Sequence, residues 1–283
     1  MHGMDKFEDD KLKILAPADK DLLLNELAAR LVQPYMIMGF VLLAFGVFVK
    51  YSSLPDKLEI EDDDDHSIKS FVAQIPAALK IPHVLLGVIT LFLYVGVEVM
   101  AGDSLTQFGK ELDLPYASTL TSYTMAFMIV GYIAGILFIP KYISQSKALQ
   151  LSAILGFVSA LGTSFASVTD VSIFSNLFGW INTAFGLNIP LIPNSVFFVT
   201  LLGLANALMW PAIWPLALEG VGKYTKIVSA LLIMSIAGGA LIPPVYASLG
   251  QAFDFQSALI IMVPCYLFIL FYALKGHKIQ TIK

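Results

Sequence analysis

The sequence is poor in charge and in cysteine, and both shortages restrict what the chain can be. Of its 283 residues, 13 % are charged and 57 % are apolar. Soluble domains carry about 25 % charged residues, so this chain lacks the polar side chains that coat a water-soluble globule. The single cysteine, Cys265, excludes an internal disulfide framework. A formal charge of −4 offers no basic field for nucleic acid.

Sequence motifs for catalysis and cofactor binding are missing as well. No phosphate-cradling glycine loop occurs, which argues against an ATP-driven pump. No set of serine, histidine and aspartate residues lies near a nucleophile-elbow motif. We therefore expect that the chain is not an enzyme and that it has no cofactor. The histidines are too scattered to share a helix face with one another or with the cysteine, so no metal site is predicted; they are His2, His66, His83 and His277.

Long apolar runs take the place of these motifs and predict an all-α integral membrane protein. A helix needs about 20 apolar residues to cross the hydrocarbon core of a bilayer. Charge-free runs of that order are Leu31–Val49, Ile81–Val97 (continuing past Glu98 to Gly102), Leu114–Pro140, Ala148–Thr169, Val171–Leu218, Ile227–Phe253 and Phe255–Leu274.

The run Val171–Leu218 is long enough for two crossings, but its first half is rich in asparagine, glycine and proline. Such residues favour turns. We therefore interpret 170–193 as an apolar loop with a short interfacial helix near Phe178–Ala184, and we expect the membrane helix to start near Asn194. The count is seven spans, with eight as the alternative.

Charge distribution divides the chain and predicts its orientation. We expect a polar tail with a short amphipathic helix (1–30), a membrane helix (31–50), an acidic linker (51–80), a six-helix bundle (81–275) and a tail (276–283). Eleven lysines fall in one set of alternating loops and only Lys110 in the other, which places the first set and the C-terminus in the cytoplasm. An outside N-terminus follows, although the polar tail carries five basic residues.

Glu98 is the most unusual polar residue in the predicted spans. It lies four residues after Tyr94, so both side chains share one helix face. A carboxylate and a phenol offer the acceptor and donor groups that suit sugar hydroxyls. The alternative is that Glu98 snorkels to the outer headgroups, since it lies about 24 Å along its helix at the α-helical rise.

A second candidate site lies in the run from Asn206 to Trp214. Asn206, Trp210 and Trp214 follow at i, i+4 and i+8, which places them on one face, with Asn206 near the bilayer midplane. Amides bind hydroxyl pairs, and indole rings stack on the C–H faces of sugars. Asn206 could instead form a hydrogen bond that joins two helices, and Trp214 could anchor its helix at the membrane–water interface.

Prolines and glycines inside these spans predict bending or gating of the helices. Pro211 and Pro215 each remove a backbone donor from the helix that carries Trp210. Gly238, Gly239, Pro243 and Pro244 lie inside a later span, and glycine pairs and prolines at membrane depth are typical of transporter helices that bend or line a cavity. Other small-residue pairs, such as Gly131 with Gly135 and Gly156 with Ala160, are explained by helix packing alone.

Four segments resemble the fucose/glucose/galactose permease branch of the major facilitator superfamily over about 33–275. They are Leu93–Val99, Ile139–Gln145, Gly203–Leu216 (with the run NALMWPAIWPL) and Ser229–Met234. The resemblance implies a major-facilitator-type bundle whose seven spans are similar to helices six to twelve of a twelve-helix transporter. Residues 1–30 then resemble the periplasmic loop before helix six, which removes the conflict over the basic tail.

The same resemblance implies a secondary active transporter of hexoses across the bacterial inner membrane, as a truncated copy that lacks the first five helices. Its substrate-binding residues would be Tyr94, Glu98, Asn206 and Trp210, and its partners a sugar, a coupling proton or cation and the lipid bilayer. Glu98 replaces a glutamine of fucose permeases, which favours glucose or galactose. Alternatives are a fucose:proton symporter, a non-transporting fragment that needs a separate N-terminal half, and a seven-span receptor or membrane enzyme.

Overall fold

The computed structural model describes residues 17–52, 68–114, 116–139, 141–186 and 189–279. The chain divides into two compact units, Met1–Asp64 and Asp65–Lys283. The predicted acidic linker core, 59–66, lies outside the described residues, as do the first 16 residues of the polar tail, Pro140 and the last four residues.

The described residues contain α-helices and short 3₁₀ segments and no strand, which confirms the predicted all-α class. The helices are α1 Pro17–Lys50, α2 Ile68–Leu79, α3 Pro82–Glu111, α4 Leu120–Phe138, α5 Gln145–Phe165, α6 Ser172–Phe185, α7 Asn194–Asn206, α8 Met209–Leu218, α9 Thr225–Met234, α10 Gly238–Ala252, α11 Phe255–Ala258 and α12 Met262–Leu274.

Seven helical segments among the described residues are long and apolar enough to cross a membrane, which agrees with the predicted seven rather than eight. They are Ala28–Lys50, Pro82–Asp103, Ala117–Phe138, Gln145–Phe165, Asn194–Leu218, Gly222–Ala252 and Phe255–Lys278. The predicted loop at 170–193 contains the 14-residue helix α6, which is longer than the expected Phe178–Ala184. The next membrane helix begins at Asn194, as predicted.

The described part of the first unit, residues 17–52, contains one 34-residue helix, α1. The predicted amphipathic segment and the predicted first span are therefore continuous, without a break at residue 31. Arg30 pairs with Glu26 one turn earlier at 2.6 Å, near the point where the apolar run begins. Helix α2 in the second unit, Ile68–Leu79, falls within the region assigned to the linker, where no helix was expected.

The second unit is a helix bundle in which α3 contacts α4, α7, α8, α10 and α12. The helices approach closely where glycine removes a side chain. A Cβ on Gly238 would lie 1.9 Å from the carbonyl oxygen of Phe92, and one on Gly131 would lie 2.6 Å from the Cβ of Ala207. Such contacts are the packing role expected for small residues in membrane helices.

The span Asn194–Leu218 is interrupted at residues 207–208, between α7 and α8. Pro211 explains the position of the break, because a proline ring clashes with the carbonyl four residues earlier and cannot donate to it. Gly135 on α4 faces the break, since a Cβ there would lie 2.3 Å from a terminal carbon of Leu208. The break thus ends α7 at Asn206 and begins α8 directly before Trp210.

Candidate functional site

Tyr94 and Glu98 form a hydrogen-bonded pair on α3. The Tyr94 hydroxyl donates to Oε1 of Glu98 at 2.7 Å. Tyr94 is 1 % exposed and Glu98 is partly buried. Helical side chains lean toward the N-terminus of their helix, so this bond directs the carboxylate back along α3. The geometry favours a carboxylate directed into the bundle over one that reaches toward the end of the span.

Trp210 extends this pair with an aromatic surface. The ring of Tyr94 lies 6.5 Å from that of Trp210, and Trp210 stacks on Trp214 with centroids 5.7 Å apart. Both tryptophans are partly buried. Together with Pro211 and Pro215 they line an open depression of about 300 Å³. The arrangement places flat apolar faces close to a carboxylate–phenol pair, and a sugar site there stays a prediction.

Asn206 lies in a fully buried position and is held by a tyrosine that sequence reasoning missed. The hydroxyl of Tyr266 on α12 donates to Oδ1 of Asn206 at 2.8 Å. Both side chains are 0 % exposed. Nδ2 of Asn206 has no hydrogen-bond partner among the described residues. The bond fits the interhelical role that the sequence left open, while the unused amide donor still suits the ligand-binding role.

Two more tyrosines border the carboxylate. Tyr132 of α4 and Tyr266 both lie close enough to Glu98 to interact with it electrostatically. Tyr266 fits between helices because a Cβ on Gly156 of α5 would lie 2.3 Å from its ring. Both tyrosines lie in apolar runs without a polar residue at i±3 or i±4, so no spacing pattern marks them. The small-residue pair Gly156 and Ala160 was an indirect signal for Tyr266, because it predicted that another helix packs closely against this part of α5.

The glycines of α10 lie against the part of α3 that carries the Tyr94–Glu98 pair. A Cβ on Gly239 would lie 2.9 Å from the side chain of Val99. Helix α10 continues through Pro243 and Pro244, and the irregularity is a three-residue 3₁₀ segment, Ser235–Ala237, directly before Gly238. The glycines therefore bring α10 against α3, which is a packing role that the prediction of bending or gating did not include.

The histidines that the structure describes tie helix ends together. Nε2 of His83 lies 2.9 Å from the carbonyl oxygen of Glu219, and Nδ1 of His277 lies 2.9 Å from that of Tyr272. Within the described ranges, no group of three or more His, Cys, Asp or Glu side chains could hold a metal ion.

Comparison with known proteins finds no matching family model, but it finds sequence relatives. The chain is 27 % identical over 270 residues to a glucose/galactose transporter of Brucella abortus, which covers 94 % of this chain and 58 % of the relative. It is 27 % identical over 274 residues to an L-fucose-proton symporter of Haemophilus influenzae, covering 94 % of this chain and 57 % of the relative. The chain thus spans somewhat over half the length of these relatives.

Solved structures show the fold. The major facilitator superfamily transporter FucP, in its outward conformation, matches with a TM-score of 0.70 at 20 % identity, over 94 % of this chain and 59 % of that one. The E. coli fucose:proton symporter of the same name, carrying a substitution, gives a TM-score of 0.69 over 94 % and 60 %. These findings confirm the resemblance made from the sequence. The chain is an integral membrane protein with the helical fold of the major facilitator superfamily, and its relatives are sugar transporters rather than enzymes.

Proposed function

We propose that the chain forms the sugar-binding wall of a secondary active transporter for hexoses similar to glucose and galactose. The observation that supports this most strongly is the grouping of Glu98, Tyr94 and Trp210, which combines a carboxylate, a phenol and a flat indole in the interior of a membrane bundle. Ionisable residues at membrane depth are costly and usually serve a function. The names of the sequence relatives point to the same class of substrate.

Each member of the group has a distinct part in binding. The second carboxylate oxygen of Glu98 accepts hydrogen bonds from sugar hydroxyls, and the Tyr94 hydroxyl, which donates to Glu98, accepts one through its lone pairs. Trp210 stacks on the C–H face of the ring. The Nδ2 group of Asn206 donates to a sugar oxygen when a small movement of the helix break exposes it.

Transport would follow from rocking of helix bundles around this site, with a proton or another cation as the coupling ion. A fucose-proton symporter among the relatives supports the proton. The opposite wall of the cavity would come from a separate N-terminal half. We place the protein in the bacterial inner membrane with its C-terminus in the cytoplasm, because eleven lysines lie in one set of loops.

Sugar uptake tests this proposal. The chain is expressed in bacteria without hexose uptake, alone and together with an N-terminal half-transporter, and uptake of labelled glucose, galactose and fucose is measured. We expect uptake of glucose or galactose with the second half present, lost in Glu98→Ala and kept in Asp103→Ala, an exposed acid later on the same helix. If Glu98→Ala leaves uptake unchanged, Glu98 is not part of the sugar site. If the chain takes up sugar when it is expressed alone, it does not need a partner half.

A fucose:proton symporter is the second candidate, because the Haemophilus symporter is as similar to this chain as the Brucella transporter. Fucose distinguishes the two candidates. Weak competition by unlabelled fucose against the uptake of labelled glucose and galactose supports the glucose/galactose proposal. Uptake of labelled fucose that exceeds the uptake of glucose and galactose supports the symporter.

A further inference from the structure

Helix α6, Ser172–Phe185, joins two membrane spans without crossing the bilayer itself. Its sequence, SIFSNLFGWINTAF, contains no charged residue. At the helical period its aromatic and aliphatic side chains fall on one broad face, and Ser172, Asn176 and Thr183 fall on the other. Such a division is typical of a helix that lies along a boundary between apolar and polar surroundings.

One part of the apolar face packs against the bundle. Phe174 lies 6.0 Å from Phe197 of α7, and Phe178 lies 5.9 Å from Phe127 of α4, measured between ring centroids. Phe197 is the fourth residue of its membrane helix, and Phe127 lies inside the span Ala117–Phe138. Helix α6 therefore packs against the sides of these spans, close to the start of α7 and along α4 as far as Phe127, the eleventh of the 22 residues in its span.

Hydrogen bonds hold the start of α6 next to the start of α7. The backbone N–H of Ser172 donates to Oδ1 of Asp170 at 2.9 Å, and that of Ile173 donates to Oδ1 of Asn194 at 3.0 Å. Nδ2 of Asn194 donates to Oδ2 of Asp170 at 2.9 Å, which closes the network. Because Asn194 is the first residue of a membrane span, the network sets α6 at the height where that span begins.

The rest of the apolar face is exposed, and the rings of Trp180 and Phe185 on it lie 6.5 Å apart between centroids. Leu177, Trp180 and Phe185 are 52 %, 60 % and 68 % exposed. The indole N–H of Trp180 already donates to the carbonyl of Leu177 at 2.9 Å, so the ring needs no further acceptor. The span before α6 also ends in an exposed apolar residue, Phe165 at 77 %, so exposed apolar side chains lie on both sides of the connection at 166–171.

We propose that α6 lies in the bilayer–water interface and that Leu177, Trp180 and Phe185 contact the lipid. Tryptophan is enriched at this depth, where its ring contacts both the headgroup region and the acyl chains. The polar face with Asn176 and Thr183 meets water. The arrangement ties α4 and the start of α7 to a helix at the membrane surface, and it does not depend on the sugar proposal.

Fluorescence quenching tests the position of Trp180. The chain has three tryptophans, so Trp210→Phe with Trp214→Phe leaves Trp180 as the only emitter. The protein is reconstituted in phosphatidylcholine vesicles whose lipids carry bromine near the headgroup or near the chain ends. We expect most emission to be lost with shallow bromine, less with deep bromine and little with aqueous iodide. Strong iodide quenching, strongest quenching by deep bromine, or quenching by none of these would each overturn the proposal.

A spin-label pair tests the same claim if the tryptophan variant does not fold. In a Cys265→Ala background, which removes the single native cysteine, Leu177→Cys and Asn176→Cys place labels on neighbouring residues of opposite faces. We expect the label at 177 to collide more with dissolved oxygen, and the label at 176 more with a water-soluble nickel chelate. Equal or reversed accessibilities would contradict a lipid-facing Leu177.

Discussion

The hydroxyl of Tyr266 donates a 2.8 Å hydrogen bond to Oδ1 of Asn206, and neither side chain is exposed. The bond joins α12 to the last residue of α7, directly before the break at residues 207–208. With Oδ1 occupied by a donor, the amide is oriented so that Nδ2 remains as its unused donor. Tyr266 is therefore a positioning residue for Asn206.

Tyr266→Phe should lower both the stability of the bundle and its affinity for sugar. The substitution leaves Oδ1 of Asn206 buried without a donor, which costs about 1–3 kcal/mol. Thermal unfolding in detergent measures the first effect and sugar binding the second, and Asn206→Ala should weaken binding by about 1–2 kcal/mol. Tyr142→Phe, at an exposed tyrosine, serves as the control. If Tyr266→Phe and Tyr142→Phe behave alike, the bond does not position Asn206.

Gly156→Ala should destabilise the bundle, because its Cβ would lie 2.3 Å from the ring of Tyr266. Overpacking of this kind costs about 1–3 kcal/mol. The matched change Gly179→Ala adds a methyl group on α6, where the nearest atom is 3.6 Å away, and it should be neutral or stabilising by about 0.5–1 kcal/mol. Unfolding midpoints of the two variants give the comparison. Equal midpoints would show that α5 moves to accommodate the methyl group.

Glu98→Gln should keep sugar binding but shift selectivity toward fucose. The glutamine retains an acceptor for the Tyr94 hydroxyl and removes the charge. The resemblance drawn from the sequence implies a glutamine at this position in fucose permeases, so we expect the variant to favour fucose. Glu98→Ala should lose about 1.5–3 kcal/mol of affinity, the range for hydrogen bonds to a charged group. Affinities for glucose, galactose and fucose are compared with those of Asp103→Asn. Two silent substitutions at Glu98 would place this residue outside the cavity.

Acid should loosen the start of α6 through Asp170. Hydrogen bonds from Ser172 and Asn194 lower the pKa of this exposed carboxyl below its usual value. The anion's contribution is thus present above the unfolded pKa of about 3.9, and it is lost as the pH falls through the lower folded value. The fluorescence emission of Trp180 should therefore change as the pH falls through the folded pKa of Asp170. The variant Asp170→Asn should not show this change. The control Asp254→Asn concerns a similar cap at α11 and should leave the change in place. An unaltered titration in Asp170→Asn would contradict this role.

Sequence patterns predicted the spans well because bilayer thickness imposes a length that apolar runs must meet. The start of α7 at Asn194 followed from the asparagine and proline residues before it. The exact extent of α6 did not, because an interfacial helix needs neither a fixed length nor a charged flank. The continuity of α1 across residue 31 was also missed, since a change from polar to apolar residues does not by itself end a helix.

The candidate site was partly visible in the sequence. Spacing of four residues was enough to place Tyr94 and Glu98 on one face, because both lie on one helix. Tyr266 could not be found this way, since its bond to Asn206 spans 60 positions and depends on the packing of α12 against α5, which in turn packs against α7. Burial of Asn206 was equally hidden, because periodicity along one helix does not say which neighbour covers it.

Equilibrium binding of labelled galactose and glucose to the chain, together with an N-terminal half-transporter in membrane vesicles, tests the central claim, with Trp210→Ala compared with Trp180→Ala. Trp210 belongs to the proposed sugar site, whereas Trp180 lies on α6 and contacts none of it. The account predicts saturable binding that Trp210→Ala weakens, by about 1–3 kcal/mol if the indole stacks on the sugar as aromatic rings do on bases, and that Trp180→Ala leaves unchanged. Saturable binding that survives Trp210→Ala at full affinity would contradict the account.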